Sequence, residues 1–188
     1  MSELNPVEPI TETIRSARLR ALLRYWVEKS AGLTMPFRRQ IEPIEIPGIL
    51  PITLLADVTP AGARMRLLGT EATNAYGSEI RNCLVSDIQF GEFTVSWQDA
   101  FSRVVQSARP AYATGTYNRG AEFCRVETVL TPLTKDGSSI SQIFGGLLIR
   151  PAGRDRMIAQ DGSGSFTVGF KDRTAGVSDS RRVDASRP

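Results

Sequence analysis

The sequence predicts an α+β domain: a five-stranded antiparallel sheet with helices on one face, preceded by an amphipathic helix. Three observations predict it. An apolar stripe at helical spacing lies near the start, a strand pair with a tight turn follows a proline-rich stretch, and three strand-like runs joined by hairpin turns close the body behind a second helix. Two hairpin strands, a helical crossover and a three-stranded meander assemble into one antiparallel sheet.

Between Glu12 and Lys29, Ile14, Leu19, Leu22, Leu23, Trp26 and Val27 recur three and four residues apart with arginines between them. That is an amphipathic helix, with Thr11 or Thr13 as cap and Gly32 as stop. Its stripe must be buried, either across the back of its own sheet or against a second copy. In the next stretch, MPFRRQIEPIEIPGILPITLLADV, prolines at 36, 43, 47 and 51 exclude both a long helix and a central strand, yet the isoleucines between them are too apolar for a linker. An ordered, buried crossing from the helix to the sheet margin fits both facts, and its role is architectural.

Ile52–Val58 reads as a strand, Thr59–Gly62 as its turn and Ala63–Thr70 as its partner. Residues 71–91 mix short-helix and turn signals. Phe93, Trp97, Phe101, Val104, Val105 and Ala108 mark a helix over residues 92–108, which Pro110 ends. Strands follow at 111–117, 122–133 and 139–150, with turns at Asn118–Gly120 and Lys135–Gly137. In the middle strand Cys124, Val126, Thr128 and Leu130 face the core helices, while Phe123, Arg125, Glu127 and Val129 face the back, where the leading helix is the expected cover.

The domain is therefore expected over residues 11–150, with the leading helix at 11–32 and the crossing at 33–51. A flexible N-terminus of ten residues and a mostly disordered tail from 151 to 188, rich in Gly, Ser, Asp and Arg, flank it. Within that tail FTVGF (Phe166–Phe170) alternates enough for a short strand or docking patch, and GSGS (Gly162–Ser165) reads as a flexible linker.

Composition excludes several functions. The net charge of +3 arises mostly beyond Pro151, where seven basic residues face five aspartates, so the body lacks the basic face that nucleic acid requires. No apolar run is long enough to span a bilayer, and the acidic start is unlike a signal peptide, so a cytoplasmic location is expected. The 188 residues include no histidine, which removes Ser-His-Asp and Cys-His catalysis, ordinary zinc sites and histidine-ligated haem. No phosphate-binding glycine motif opens a helix. Cys83 and Cys124 read as small apolar fillers. Carboxylates at Asp57, Glu71, Asp87, Asp99, Glu122 and Glu127 show no spacing that pairs them for acid–base work.

Three local motifs carry a resemblance. The helix offers Leu19, Leu22, Tyr25, Trp26 and Lys29 in the form LxxLxxYWxxK. The crossing offers IxPxEIPxxLPxxxLxDV through Ile41, Pro43, Glu45, Ile46, Pro47, Leu50, Pro51, Asp57 and Val58, and Arg66, Gly69 and Thr70 supply RxxGT. In these and in element order the chain resembles the PAS sensor superfamily over residues 14–150, and more narrowly a bacterial family of small single-domain PAS-like proteins. One departure is Arg81, Asn82 and Cys83, where that family carries a Thr-Gly pair.

The resemblance implies a cavity between sheet and helices. Its candidate lining is Leu67, Leu84, Trp97, Phe101, Val105, Cys124, Val126, Ile143, Gly145 and Leu147, with Gly145 and Gly146 leaving room and Arg66 as candidate contact for an anionic group. It implies a non-catalytic sensory or regulatory module that binds a small molecule or a signalling partner. Leu19, Leu22, Leu23 and Trp26 are the candidate contacts of a homodimer or partner helix. No residue pattern specifies a cofactor, haem and flavin included. The alternative is a small-molecule enzyme using carboxylates in the same cavity.

Overall fold

A computed structural model describes residues 8–152. Two helices come first, α1 (Glu8–Thr13) and α2 (Ala17–Ser30), followed by three 3-10 turns along the crossing. Strands β1 (Thr53–Thr59) and β2 (Gly62–Leu68) form a hairpin. Helices α3 (Thr70–Tyr76) and α4 (Thr94–Ser107) cross over to the meander β3 (Ala111–Arg119), β4 (Glu122–Thr134) and β5 (Ile140–Pro151). All neighbouring strands are antiparallel, in the order β2-β1-β5-β4-β3. The expected sheet is the observed one.

Where one leading helix was expected, there are two. Ser16 is extended, and its hydroxyl accepts a bond from the Leu19 backbone N–H, so Ser16 rather than a threonine caps α2. At the other end Ala31 takes the left-handed conformation before Gly32. The short α1 begins at Glu8, inside the stretch expected to be flexible, and Ile10 is buried. The tail from 153 onward, with FTVGF and GSGS, lies outside the described residues.

Both faces of the sheet are covered. On one, α3, α4 and the turns between them enclose a core containing Leu54, Met65, Phe90, Trp97, Val126, Leu130 and Ile143. On the other, α2 and the crossing bury Leu19, Leu22, Leu23, Trp26, Ile41, Ile46 and Ile49 against Val129, Leu133, Phe144 and Leu148. Each large side chain so buried stabilises by about 1.5–3 kcal/mol, which is ample to hold a 14-residue helix down. The indole N–H of Trp26 also donates to the Pro132 carbonyl at 2.8 Å, fixing the rotation of α2 over β4.

The motifs of helix, crossing and hairpin hold one another. Tyr25 and Lys29 of α2 both reach Glu45 of the crossing, the phenol donating to one carboxylate oxygen at 2.6 Å and the ammonium bonding the other at 2.7 Å. The Tyr25 oxygen in turn accepts from the Glu42 backbone N–H at 2.9 Å. Burial and the Glu45 carboxylate together push the Tyr25 phenol up to about 12, so it stays a donor. Gly69 of the hairpin motif sits against the crossing: a Cβ there would stand 2.4 Å from the Pro51 carbonyl oxygen and 2.5 Å from that of Leu50. Its N–H donates to the Thr53 carbonyl at 2.7 Å.

Candidate functional site

The space between sheet and α4 is occupied by rings. Phe90 lies at the centre, its ring centroid 4.8 Å from Tyr76, 5.1 Å from Trp97, 5.5 Å from Tyr117 and 5.9 Å from Phe93. Trp97 continues the contact to Phe101, 4.8 Å away on the next turn of α4. Gly115 of β3 lets Phe93 lie on the strand, because a Cβ would approach that ring to 2.7 Å. The Trp97 indole is fully buried, and its N–H finds no acceptor among the described residues. An unsatisfied buried donor is uncommon and costs roughly 1–3 kcal/mol.

Six of the ten residues expected to line a cavity meet in this core: Trp97, Phe101, Cys124, Val126, Ile143 and Leu147. Burial pushes the Cys124 thiol up, which keeps it an unreactive filler. The other four lie elsewhere. Gly145 and Gly146 leave no vacancy: a Cβ on Gly146 would stand 2.6 Å from a methyl of Leu19 and 3.1 Å from one of Leu22, and on Gly145 it would stand 2.3 Å from the Val129 carbonyl oxygen. The room the glycines make is taken by α2 on one face and by β4 on the other.

Leu67 is a correction with a clear cause. Strict alternation from Ala63 and Met65 points it inward, but a β-bulge between Leu55 and Ala56 slips the register, so Leu68 turns to the core and Leu67 is 46% exposed. Leu84 is half-buried at the sheet edge, bridged to Arg64 of β2 beside the Arg81–Cys83 departure. There Asn82, with φ of 66°, donates to the Met65 carbonyl at 2.7 Å, so this loop extends the sheet edge. Val105 is 41% exposed on the outer side of α4. Arg66 is also exposed, 3.6 Å from the Asp57 carboxylate.

The α2 stripe has its cover within the chain: Leu19, Leu22, Leu23 and Trp26 are buried against the back of the sheet. Of the two covers the sequence allowed, the sheet is the one used.

The carboxylates are dispersed among separate partners. Asp57 accepts from the Gln142 amide at 2.6 Å, Glu71 pairs with Arg18 at 2.6 Å, Glu122 pairs with Arg119, and Asp87 accepts from the Ser86 hydroxyl. Asp99 is exposed on α4. Glu127, half-buried on the back of β4, accepts from the Tyr112 hydroxyl at 3.1 Å and from the Ser16 backbone N–H at 3.3 Å. It thus ties β3 and β4 to the start of α2. Burial, then the nearby carboxylate, push the Tyr112 phenol up to about 12. The sequence reading passed over Tyr112, although alternation places it on the same face as Glu127. Among the described residues no cluster of His, Cys, Asp or Glu could hold a metal.

A groove of about 380 Å³ opens outside the aromatic core. The β1–β2 turn and the start of β2 (Ala61, Gly62, Ala63) form one wall, Val85 and Ser86 of a 3-10 turn another, and the outer side of α4 the floor. From α4 come Gln98, Phe101, Ser102, Val105 and Gln106. A second cleft, between α4 and β3 at Ser96 and Tyr112, has no room for a water-sized body.

A family model of the PAS domain matches residues 14–148. The chain belongs to the PAS domain family. Solved structures similar to this PAS domain include that of Bordetella pertussis BvgS, at 14% identity and TM-score 0.45, covering 59% of this chain and 84% of that one. A LOV protein of Rhodobacter sphaeroides matches at 13% identity and TM-score 0.45, covering 62% of this chain and 71% of that one. Vibrio cholerae VqmA, a LuxR-type receptor, matches at 9% identity and TM-score 0.43, covering 56% of this chain and 49% of that one, so this chain spans about half its length. No curated protein matches. No helix among the described residues is long and apolar enough to cross a membrane.

Proposed function

We propose that this PAS domain is a non-catalytic sensory or regulatory module that binds a small molecule or a protein partner and passes its state on through protein contacts, with α2 as the responsive element. The YW helix and EIPxxLP segment support a place in the narrower group of PAS-like proteins that carry both. The observation that carries the functional reading is the seat of α2. Leu19 and Leu22 press on Gly146 of β5, and Ser16 is held by Glu127 of β4. The same two strands carry Val126, Leu130, Ile143 and Leu147 into the aromatic core on the opposite face. A change in packing on the core side therefore alters the surface on which α2 rests, and two packings of α2 bias each other through one pair of strands.

Among the described residues the dispersed carboxylates offer the enzymatic alternative no paired site, so the binding reading is preferred. A homodimer, if formed, uses a surface other than the α2 stripe or requires α2 to lift. Native mass spectrometry of the purified chain, with hydrogen exchange on the same sample, tests the reading. A retained stoichiometric small molecule or a partner-bound species, with α2 exchanging faster than β4 and β5, supports it. A bare monomer whose α2 amides exchange as slowly as those strands refutes it.

A further inference from the structure

The two edges of the sheet differ. On β2 the chain covers its own edge: the Met65 N–H donates to the Cys83 carbonyl at 2.9 Å and the Asn82 N–H to the Met65 carbonyl at 2.7 Å. β3 is the opposite edge, and among the described residues no backbone hydrogen bond joins it to any segment but β4. An open edge is a template for another strand, and proteins normally blunt one with proline, lysine, a bulge or a short length. β3 has none of these. AYATGTYNR runs nine residues in unbroken register, and its one charged side chain, Arg119, is engaged by Glu122 and by the Asn74 and Ala75 carbonyls.

The start of this edge is already taken. Ala111, Tyr112 and Ala113 are buried and share a tight cleft with Ser96, Asp99 and Arg103 of α4. From Thr114 to Arg119 the strand is half-buried or exposed. There the exposed Glu92 carboxylate accepts one long bond, 3.5 Å, from the Thr116 hydroxyl. The open stretch is therefore the last two-thirds of β3.

A segment of this chain matches it in length, chemistry and reach. FTVGF, Phe166–Phe170, is uncharged and holds β-branched and aromatic residues at alternate positions. The Ala152 N–H donates to the Phe123 carbonyl at 2.9 Å, so the chain leaves β5 at the end of the sheet where β3 also finishes. A strand beyond β3 lies three inter-strand steps from β5, about 14 Å. Residues 153–165 separate the two, and a coil of that length spans about 20 Å. A chain turning back from that end runs antiparallel to β3. Lys171, next after Phe170, then arrives at the cleft that Asp99 lines.

We propose that FTVGF adds to β3 as a sixth, antiparallel strand, with Val168 opposite Thr116, and that it displaces the Glu92 side chain. This strand addition does not depend on the responsive role proposed for α2.

Hydrogen exchange followed by NMR on the full-length ¹⁵N-labelled chain tests it. Val168→Pro removes the central donor, and Ala175→Pro is the control beyond the segment. In the native chain and in Ala175→Pro, the amides of residues 114–118 that do not bond β4 should be protected, together with those of 167–170. In Val168→Pro both sets should lose at least about tenfold of their protection while β4 and β5 keep theirs. Cross-strand nuclear Overhauser contacts between residues 166–170 and 114–118 of the native chain are a second readout that needs no variant. Edge amides exchanging at their intrinsic rate, protection that survives Val168→Pro, or missing cross-strand contacts overturn the proposal. Edge protection that rises with protein concentration, alongside a dimer in light scattering, also overturns it and makes a second copy the occupant.

Discussion

Gly146→Ala is the most direct perturbation of the α2 seat. The new Cβ would stand 2.6 Å from the Leu19 methyl, 3.1 Å from that of Leu22 and 3.6 Å from that of Ile52, all of them fully buried, so the helix must shift or its leucines must leave their rotamers. Overpacking of this kind costs about 1–3 kcal/mol. Replacing a strand glycine returns about 0.5–1 kcal/mol by lowering the entropy of the unfolded chain. The net loss is therefore up to about 2.5 kcal/mol, centred near 1 kcal/mol, and for a chain of this size the melting temperature should fall by roughly 2–4 °C for each kcal/mol lost. The assay is urea unfolding combined with hydrogen exchange. The midpoint should drop at unchanged slope, and α2 amides should gain more exchange than those of β3. Adding Leu19→Ala removes the closest of these contacts, so the double variant should be less destabilised than the sum of the singles, with a coupling of about 0.5–3 kcal/mol. Strict additivity, or a Gly146→Ala protein with native stability and α2 exchange, would refute the packing argument.

Gly69→Ala meets backbone oxygens at 2.4 and 2.5 Å rather than flexible side chains, so its cost should sit at or above the upper end of about 1–3 kcal/mol, measured in the same urea titration. Trp26→Phe leaves the buried Pro132 carbonyl without its donor and should lose about 1–3 kcal/mol in thermal melts, whereas an unchanged melt would mean the bond is not formed. Asp136 in the β4–β5 turn accepts from the Ser139 hydroxyl and from the N–H groups of Ser138 and Ser139, which hold its carboxyl well below the usual range. Because the folded carboxyl titrates below its unfolded counterpart, the order it gives the turn is complete above about pH 4 and declines as pH falls below that. Protection factors in residues 135–139, corrected for the pH dependence of the intrinsic exchange rate, should fall on acidification in the native protein, and Asp136→Asn should show that lowered protection already at neutral pH.

The fold was legible because its signals are local and periodic. The α2 stripe, the alternation of β4 and the turn residues at Gly62, Gly120 and Gly137 each point to one structure. The proline-rich crossing was legible as architecture, yet its specific bonds were not: nothing in spacing alone says that Tyr25 and Lys29 meet Glu45 or that Gly69 lies against Pro51. The interior was read less well for three physical reasons. A β-bulge turns Leu67 outward, and a bulge is a property of two paired strands rather than of one. The glycine pair was read as empty space, whereas small residues in a packed sheet are filled by whatever presses on them, here Leu19 and Leu22. Phe90, the centre of the aromatic core, sits in an irregular loop where no period marks it.

The claim that core-side packing is transmitted through the shared strands to α2 is tested most directly by hydrogen exchange of α2 in a matched pair of variants. Val126→Ala and Val85→Ala delete the same atoms from the same core, but Val126 is on β4, one of the two strands on which α2 rests, and Val85 is on a turn beside the far edge strand β2. At equal global stability, set by urea, exchange across residues 17–30 should be clearly faster in Val126→Ala than in Val85→Ala. Equal α2 exchange in the two proteins would contradict the account and leave α2 a fixed part of the core.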